Sequence, residues 1–386
     1  MIQKRPRLPY NSVFPVSERR PLVINSDRLL ETFLSILRID SYYPNEDPVM
    51  GPLRPKLERA GLQLSTDEHR NVLGYWPGTG ELAERDPIML CAHTDTVWPT
   101  PEMEPVVRDN AVHTDGSSVL GADDKAAVAA IVEAVEAIAD ESLPHPPVEV
   151  LFTVGEEVGH IGSRAFDVSK ARSKMVFVPD ADGTVGGVML AAPWTIAMKT
   201  IFQGRAAHAG MDPENGRSAL CMAARAIETM RLGRLDDETT ANVGTLNGGE
   251  AMNIVPPRAE MVWQLRSLDQ GKYERIKKEL LGACQAAAEA FEGTVEFEQV
   301  GGTQGFRFDE DDPIIVRAKS AIAASGIDPW TSVTCGGSDA NEFNDHGLPA
   351  VVISVGYLDI HTNEESMPLD QLHQLADVCC SLMLGK

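Results

Sequence analysis

The sequence predicts an α/β layer fold in its outer segments and an inserted α+β domain of ferredoxin-like order between them. Three observations carry this. Four short apolar runs, at 88–92, 148–154, 175–179 and 350–355, are each bounded by polar loops and read as buried strands. An alanine-rich stretch, AAVAAIVEAVEAIA at 126–139, lies between the first two and is a strong helix former. The middle of the chain follows the order βαββαβ, the ferredoxin-like pattern.

Taken in chain order, residues 1–27 are basic and rich in proline and arginine at the start, and read as an irregular arm ahead of the fold. They lack the apolar segment of a signal peptide. The run IMLCA is followed by His-Thr-Asp, VEVLFTV by Gly-Glu-Glu, MVFVP by Asp-Ala-Asp-Gly, and AVVISV by a histidine a few residues on. Strands alternating with helices suggest layered α/β architecture. In open α/β sheets ligands bind beyond the strands' C-terminal ends, where these polar residues lie. The middle reads as a strand at 194–203, a helix at 217–231, strands at 240–246 and 258–266, a helix at 272–291 and a strand at 294–300. Residues 28–193 and 302–386 therefore form one domain and 194–301 a second, with a hinge loop at Gly301–Pro313.

Composition narrows the function. The chain has 386 residues, enough for about two domains. Lys plus Arg is 34 and Asp plus Glu is 57, a net charge of −23. That balance argues against nucleic acid and against an anionic membrane surface as partners. No apolar run has the length of a transmembrane helix. The six cysteines form no CxxC and no regular spacing, which suits reduced core thiols in a cytoplasmic protein.

The chemistry-bearing residues gather in His93-Thr-Asp95, Gly121-Ala-Asp123-Asp124-Lys125, Gly155-Glu156-Glu157, Asp180-Ala-Asp182-Gly183 and Asp359-Ile-His361. Singly each is ordinary: a structural histidine, a solvated acidic turn, an N-cap. Together they offer imidazole nitrogens and carboxylate oxygens, the donors that suit Zn²⁺ and similar divalent metals. Two histidines with several carboxylates hold two metals if one carboxylate bridges them. Of two adjacent carboxylates, one is free to ligate while the other handles a proton.

These motifs resemble the co-catalytic zinc metallopeptidases that include peptidase T, glutamate carboxypeptidase and aminoacylase. The likeness runs from about residue 28 to the end and is closest to peptidase T-like proteins. It is carried by CAHTDTV (91–97), LGADDKAAVA (120–129), TVGEEVGHIGS (153–163), VPDADG (178–183), GRAAHAG (204–210), AMNIVP (251–256), GGSDANEF (336–343) and GYLDIHTNEE (356–365). The resemblance implies a zinc-peptidase-like catalytic domain with a central mixed sheet flanked by helices. It implies two Zn²⁺ per chain, with Mn²⁺ or Co²⁺ also compatible: His93 and Asp180 on one, Glu157 and His361 on the other, Asp123 bridging. Asp95 would orient His93, and Glu156 would be the general base acting on a metal-bridging hydroxide. It also implies a cis bond between Asp123 and Asp124. His208 would help hold the oxyanion, Arg266 the substrate carboxylate, and Asn253 the substrate backbone. Pairing of the inserted domains would make a homodimer.

The implied activity is hydrolysis of short peptides, from the N-terminus. N-acyl amino acid deacylation and carboxypeptidase action share the same metal centre and stay open, as does a non-catalytic metal-binding homologue. Small departures are HAG after His208, where HSG is commoner, and Asp359, where Asn is more usual. Gly336-Gly337-Ser338 lacks the GxxxxGK[ST] context of a phosphate loop. Cys335 has no evident histidine partner and reads as a buried thiol. His69, His113, His145, His160, His346 and His373 are left without a role, as surface or structural residues.

Overall fold

The computed structural model describes residues 24–386. The expected arm thus lies outside the described residues except for 24–27, and the first helix already begins at Ser26, capped by the Asn25 side chain.

Among the described residues the larger sheet has nine strands. Four parallel strands form its middle: Val148–Thr153, Ile88–His93, Val176–Ala181 and Ala350–Ser354. These are the four apolar runs of the sequence, and their side chains are almost all buried. Antiparallel strands flank them. Gln63–Thr66 and Val72–Trp76 extend one side, and Gly187–Ala192 with Phe306–Arg307 the other. Trp330–Val333 adds a parallel partner to Gly187–Ala192. The sheet is therefore mixed, with helices packed against it. Phe306 is buried and pairs with Ala192, so the segment expected to be a hinge loop at Gly301–Pro313 contains a short strand. The alternation of apolar residues there is too brief to signal a strand.

The alanine-rich helix runs from Ala122 to Asp140 and is buried over nearly its whole circumference. Its outer face is covered by the helices Ser26–Leu37, Met50–Arg59 and Leu369–Met383. Small side chains permit that close approach on all sides. Charges pin the covering layer. Arg28 makes a forked pair with the buried Glu133, Nε to Oε2 at 2.7 Å and Nη2 to Oε1 at 2.9 Å. Lys56 and Arg59 both reach Glu136 one turn on.

Residues 194–301 build a separate sheet with its own hydrophobic core. Trp194–Gln203, Thr239–Gly248, Arg258–Ser267 and Thr294–Gly301 pair antiparallel, with Trp194–Gln203 and Arg258–Ser267 in the centre, which is the ferredoxin-like arrangement. The helices Ala219–Thr229 and Gln270–Ala290 are capped by Ser218 and Asp269 and pack on this sheet. An added short strand, Gly233–Asp236, hairpins onto the edge beside Thr239–Gly248. Among the described residues no helix is long and apolar enough to cross a membrane.

The Arg28–Glu133 fork generates a stability prediction. Arg28→Ala leaves a fully buried carboxylate with, among the described residues, only the Asn25 amide as partner. Breaking a buried pair from one side costs about 3 kcal/mol. Denaturant unfolding should show a lower midpoint, and Arg28→Ala combined with Glu133→Gln should recover part of the loss.

Candidate metal centre

The four parallel strands end side by side, and their following residues meet. His93 closes the Ile88–His93 strand, Glu156 and Glu157 follow Val148–Thr153, and Asp180 lies near the end of Val176–Ala181. His361 comes from the loop after Ala350–Ser354, and Asp123 from the N-terminal end of the long buried helix. Asp123 and Asp124 depart from helical dihedrals, and the peptide bond between them is cis. The chain reaches this turn through Gly121 at φ +76°, where a Cβ would stand 2.7 Å from Thr96 Cγ2. A side chain there has neither the backbone region nor the space.

Asp123 is the centre of the arrangement. Its Oδ1 is 3.2 Å from His93 Nε2, and its Oδ2 is 3.2 Å from His361 Nε2. Asp180 Oδ1 lies 3.8 Å from the same His93 nitrogen, and Glu157 Oε1 lies 3.0 Å from the same His361 nitrogen. Two groups of potential ligand atoms result, His93–Asp123–Asp180 and Asp123–Glu157–His361, each with its atoms within 4.8 Å of one another. Asp123 belongs to both. A third group, His93–Glu156–Glu157, brings Glu156 beside them.

The electrostatics fit dications. Burial, reinforced by Asp123, Asp124 and Glu156, pushes Asp180 well above the usual carboxylate range. Glu157 rises to about 7, first through burial, against the pull of His361. Asp124 is fully buried, neither of its oxygens has a hydrogen-bond partner among the described residues, and burial raises it strongly. Asp123 moves the other way: burial would raise it, but the two imidazoles hold it below its ordinary value. His93 rises well above normal, because Asp123, Asp95 and Asp180 outweigh its burial. His361 rises to about 10 through Asp123 and Glu157. The protein thus gathers more buried negative charge than its own cations neutralise, with the nitrogen and oxygen donors that divalent metals prefer.

Neighbouring groups fix the candidate ligands. Asp95 is fully buried. Its Oδ1 accepts from the amide of Glu156 at 3.0 Å and its Oδ2 from that of Glu157 at 3.1 Å. His93 Nδ1 donates to the main-chain oxygen of Asp95 at 3.1 Å, with Oδ1 at 3.4 Å. Either acceptor leaves Nε2 for the centre. Glu365 accepts from the amides of Gly121 and Asp123 and so holds the turn that carries Asp123. No sequence signal beyond its place in GYLDIHTNEE marks Glu365, whose partners lie far off in the chain.

The cleft over the centre is lined by Asp123, Glu156, Glu157, Asp180, His361 and, from the other sheet, Arg266. Arg266 Nη1 donates to the carbonyl of Cys335, which also lines the cleft. Cys335 and Cys221 are exposed, which corrects the reading of Cys335 as a buried thiol and of the cysteines as uniformly core. The Cys335 loop is cleft wall, where polarity of sequence says little about exposure. His208 and Asn253 are absent from the cleft lining. They meet each other's segments instead: the Ala209 amide donates to the Asn253 carbonyl, and His208 bridges Ile254. His208 Nδ1 accepts from the amides of Gly210 and Met211, which leaves its Nε2 as the donor. His160, left without a role by the sequence, lines the cleft with its Nε2 at 3.3 Å from Glu156 Oε1.

Comparison with known proteins gives the family. The family model for Peptidase family M20/M25/M40 matches residues 89–385. The protein YqjE of Bacillus subtilis (strain 168) is 37% identical over 368 residues, covering 94% of this chain and 99% of that protein. Among solved structures, the aminopeptidase PepT from Bacillus cereus ATCC 10987 superposes with a TM-score of 0.88 at 34% identity, covering 94% of this chain and 99% of that one. A tripeptidase from Staphylococcus aureus subsp. aureus mu50 gives a TM-score of 0.86 at 33% identity, covering 93% of this chain and 98% of that one. The chain belongs to the M20/M25/M40 peptidase family. Within that family it is peptidase T-like, as its motifs imply.

The Asp95 clamp can be tested directly. In Asp95→Asn one acceptor becomes an NH₂ group facing a backbone N–H. A lost bond with a buried unpaired donor costs about 1–3 kcal/mol. The unfolding midpoint should fall, and hydrogen exchange at the Glu156 and Glu157 amides should quicken.

Proposed function

We propose that this chain hydrolyses short peptides at the N-terminal peptide bond, as a dinuclear metallopeptidase. The observation that carries the reading is Asp123, with one carboxylate oxygen toward each of two histidines and Glu156 alongside. His93 and Asp180 would hold one metal, Glu157 and His361 the second, and Asp123 both. Zn²⁺ suits this donor set, and its carboxylate content also suits Mn²⁺ or Co²⁺. Bound there, the pair would supply Lewis acidity, polarising the scissile carbonyl and lowering the pKa of water.

The chain's own residues do the rest. Glu156 takes the proton from the attacking water and passes it to the leaving amine. Asp95 keeps Glu156 and Glu157 in register by holding both their amides. Arg266, planar and permanently charged, faces the cleft and pairs with the substrate's carboxylate. His208 donates from Nε2 to the developing oxyanion, and Asn253 contacts the substrate backbone. The likeness to the PepT aminopeptidase and to the tripeptidase, each above 30% identity, supports a peptide substrate over an N-acyl amino acid. Free thiols at all six cysteines support a reducing compartment, the cytoplasm.

Glu156→Gln should keep the fold and metal content while turnover of a tripeptide falls by several orders of magnitude, because an amide cannot take the proton. Glu157→Gln should instead lower metal content. Metal analysis beside steady-state kinetics checks both; near-normal kcat in Glu156→Gln would end the base assignment.

His208 and Asn253 lie outside the cleft lining, and a second subunit would bring them to it. The edge strand Thr294–Gly301 is largely exposed, with Phe297 and Val300 open to solvent and Phe297 beside Leu281 of the adjacent helix. An unpaired edge with apolar residues supports association through 194–301. Light scattering should therefore report a homodimer at micromolar concentration. Mixed dimers of Glu156→Gln and His208→Ala chains should regain activity that neither homodimer has. A monomer, or no regain, would overturn the shared site.

A further inference from the structure

His160 belongs to neither proposed metal set and has no part in the steps above, yet it is wedged between two carboxylates at the cleft wall. Its residue is 6% exposed. Nε2 lies 3.3 Å from Glu156 Oε1, and Nδ1 lies 3.1 Å from Glu342 Oε1. Arg164 grips Glu342 in turn, Nη2 to Oε1 at 2.9 Å and Nε to Oε2 at 3.2 Å. The charges alternate along Arg164, Glu342, His160 and Glu156.

A carboxylate only accepts, and a neutral imidazole donates from one nitrogen alone, so the imidazolium is the form that satisfies both neighbours. Burial opposes that charge, but Glu156 and Glu342 prevail and raise His160 to about 10. The main chain ties the same two residues. The His160 amide donates to the Glu156 carbonyl at 2.8 Å, closing one turn. His160 itself sits at φ +57°, in the left-handed region that a residue with a side chain adopts rarely. On the far side, a Cβ on Gly337 would stand 3.0 Å from His160 Cε1. The ring is therefore hemmed in, with little freedom to swing off Glu156.

We infer that His160 is a positioning residue for Glu156, holding Oε1 so that the other carboxylate oxygen is presented to the reacting water. The inference rests on the reading of Glu156 as the general base. A glutamate has rotatable bonds enough to miss its target, and an error of about 1 Å in a reacting group costs up to about 10²-fold in rate. His160 removes that freedom, and Glu342 with Arg164 removes it from His160.

The test uses the full-length, metal-loaded enzyme and a tripeptide substrate. Gln at 160 reaches to the place of Nε2, toward Glu156. Asn reaches only to that of Nδ1, toward Glu342. His160→Leu and His160→Asn should lower kcat by about 10–100-fold with KM within about threefold, at unchanged metal content. His160→Gln should keep kcat within about threefold of the parent enzyme. Gly337→Ala, which crowds the ring from the opposite loop, should move kcat in the same direction as His160→Leu, and serves if that variant does not fold. Wild-type kcat in His160→Leu and His160→Asn would overturn the inference. So would His160→Gln as slow as His160→Leu with equal Tm and metal content. Glu156→Gln separates the two levels. If it stays active, the base reading falls and this inference with it; if it is inactive while His160→Leu runs at the parent rate, only the positioning falls.

Discussion

Buried negative charge around Asp123 is the constraint to which the rest of this structure answers. Asp123, Asp124, Asp180, Glu156 and Glu157 stand together with two imidazoles at the ends of the parallel strands. Ionised carboxylates out of water are costly unless paired, and the raised values at Asp180 and Glu157 express that cost. Such a cluster is tenable in a folded chain when cations complete it and when the surrounding backbone prevents relaxation. Much of the architecture serves the second condition.

The rigidity comes from several layers. Four buried parallel strands set the positions of His93, Glu156, Glu157 and Asp180 to within the pleat of one sheet. The alanine-rich helix, clad by three others and clasped by Arg28, Lys56 and Arg59, sets Asp123. Asp95 ties the Glu156–Glu157 turn to the His93 strand, and Glu365 ties the Asp123 turn to the loop beyond His361. Asp123, Glu156 and Glu157 are thereby held through their backbone amides by hydrogen bonds to side chains of other segments. Such pre-organisation is what a site acting on developing charge requires.

The second sheet contributes differently. It has its own core, closed by Trp263, whose indole donates to Thr200, and it sends Arg266 into the cleft. His208 and Asn253 sit on its loops, away from the cleft lining, with exposed Met211 and Met252 close by in the chain. The proposed roles of His208 and Asn253 divide the site between two cores, to be completed by closure within a chain or by a second chain. The proposed second chain would pair at the exposed edge that carries Phe297 and Val300.

The sequence by itself determined the local elements and the donor set. Short, β-branched apolar runs bounded by polar loops suit buried strands, and polar residues placed just past them fall at a sheet's C-terminal edge. The order βαββαβ likewise follows from local periodicity and appears in the structure with one extra edge hairpin, Gly233–Asp236. The co-location of His93, Asp123, Glu157, Asp180 and His361 was implied by the family resemblance of the motifs that carry them, most of which lie at a strand end or a helix start. What only the tertiary structure decided were contacts between residues far apart in the chain. The meeting of His160 with both Glu156 and Glu342, the exposure of Cys335 beside Arg266, and the pairing of Phe306 with Ala192 are of that kind. The physical reason is range: periodicity and capping act over a few residues, whereas burial and hydrogen-bond partners depend on which surfaces the packed sheets bring face to face.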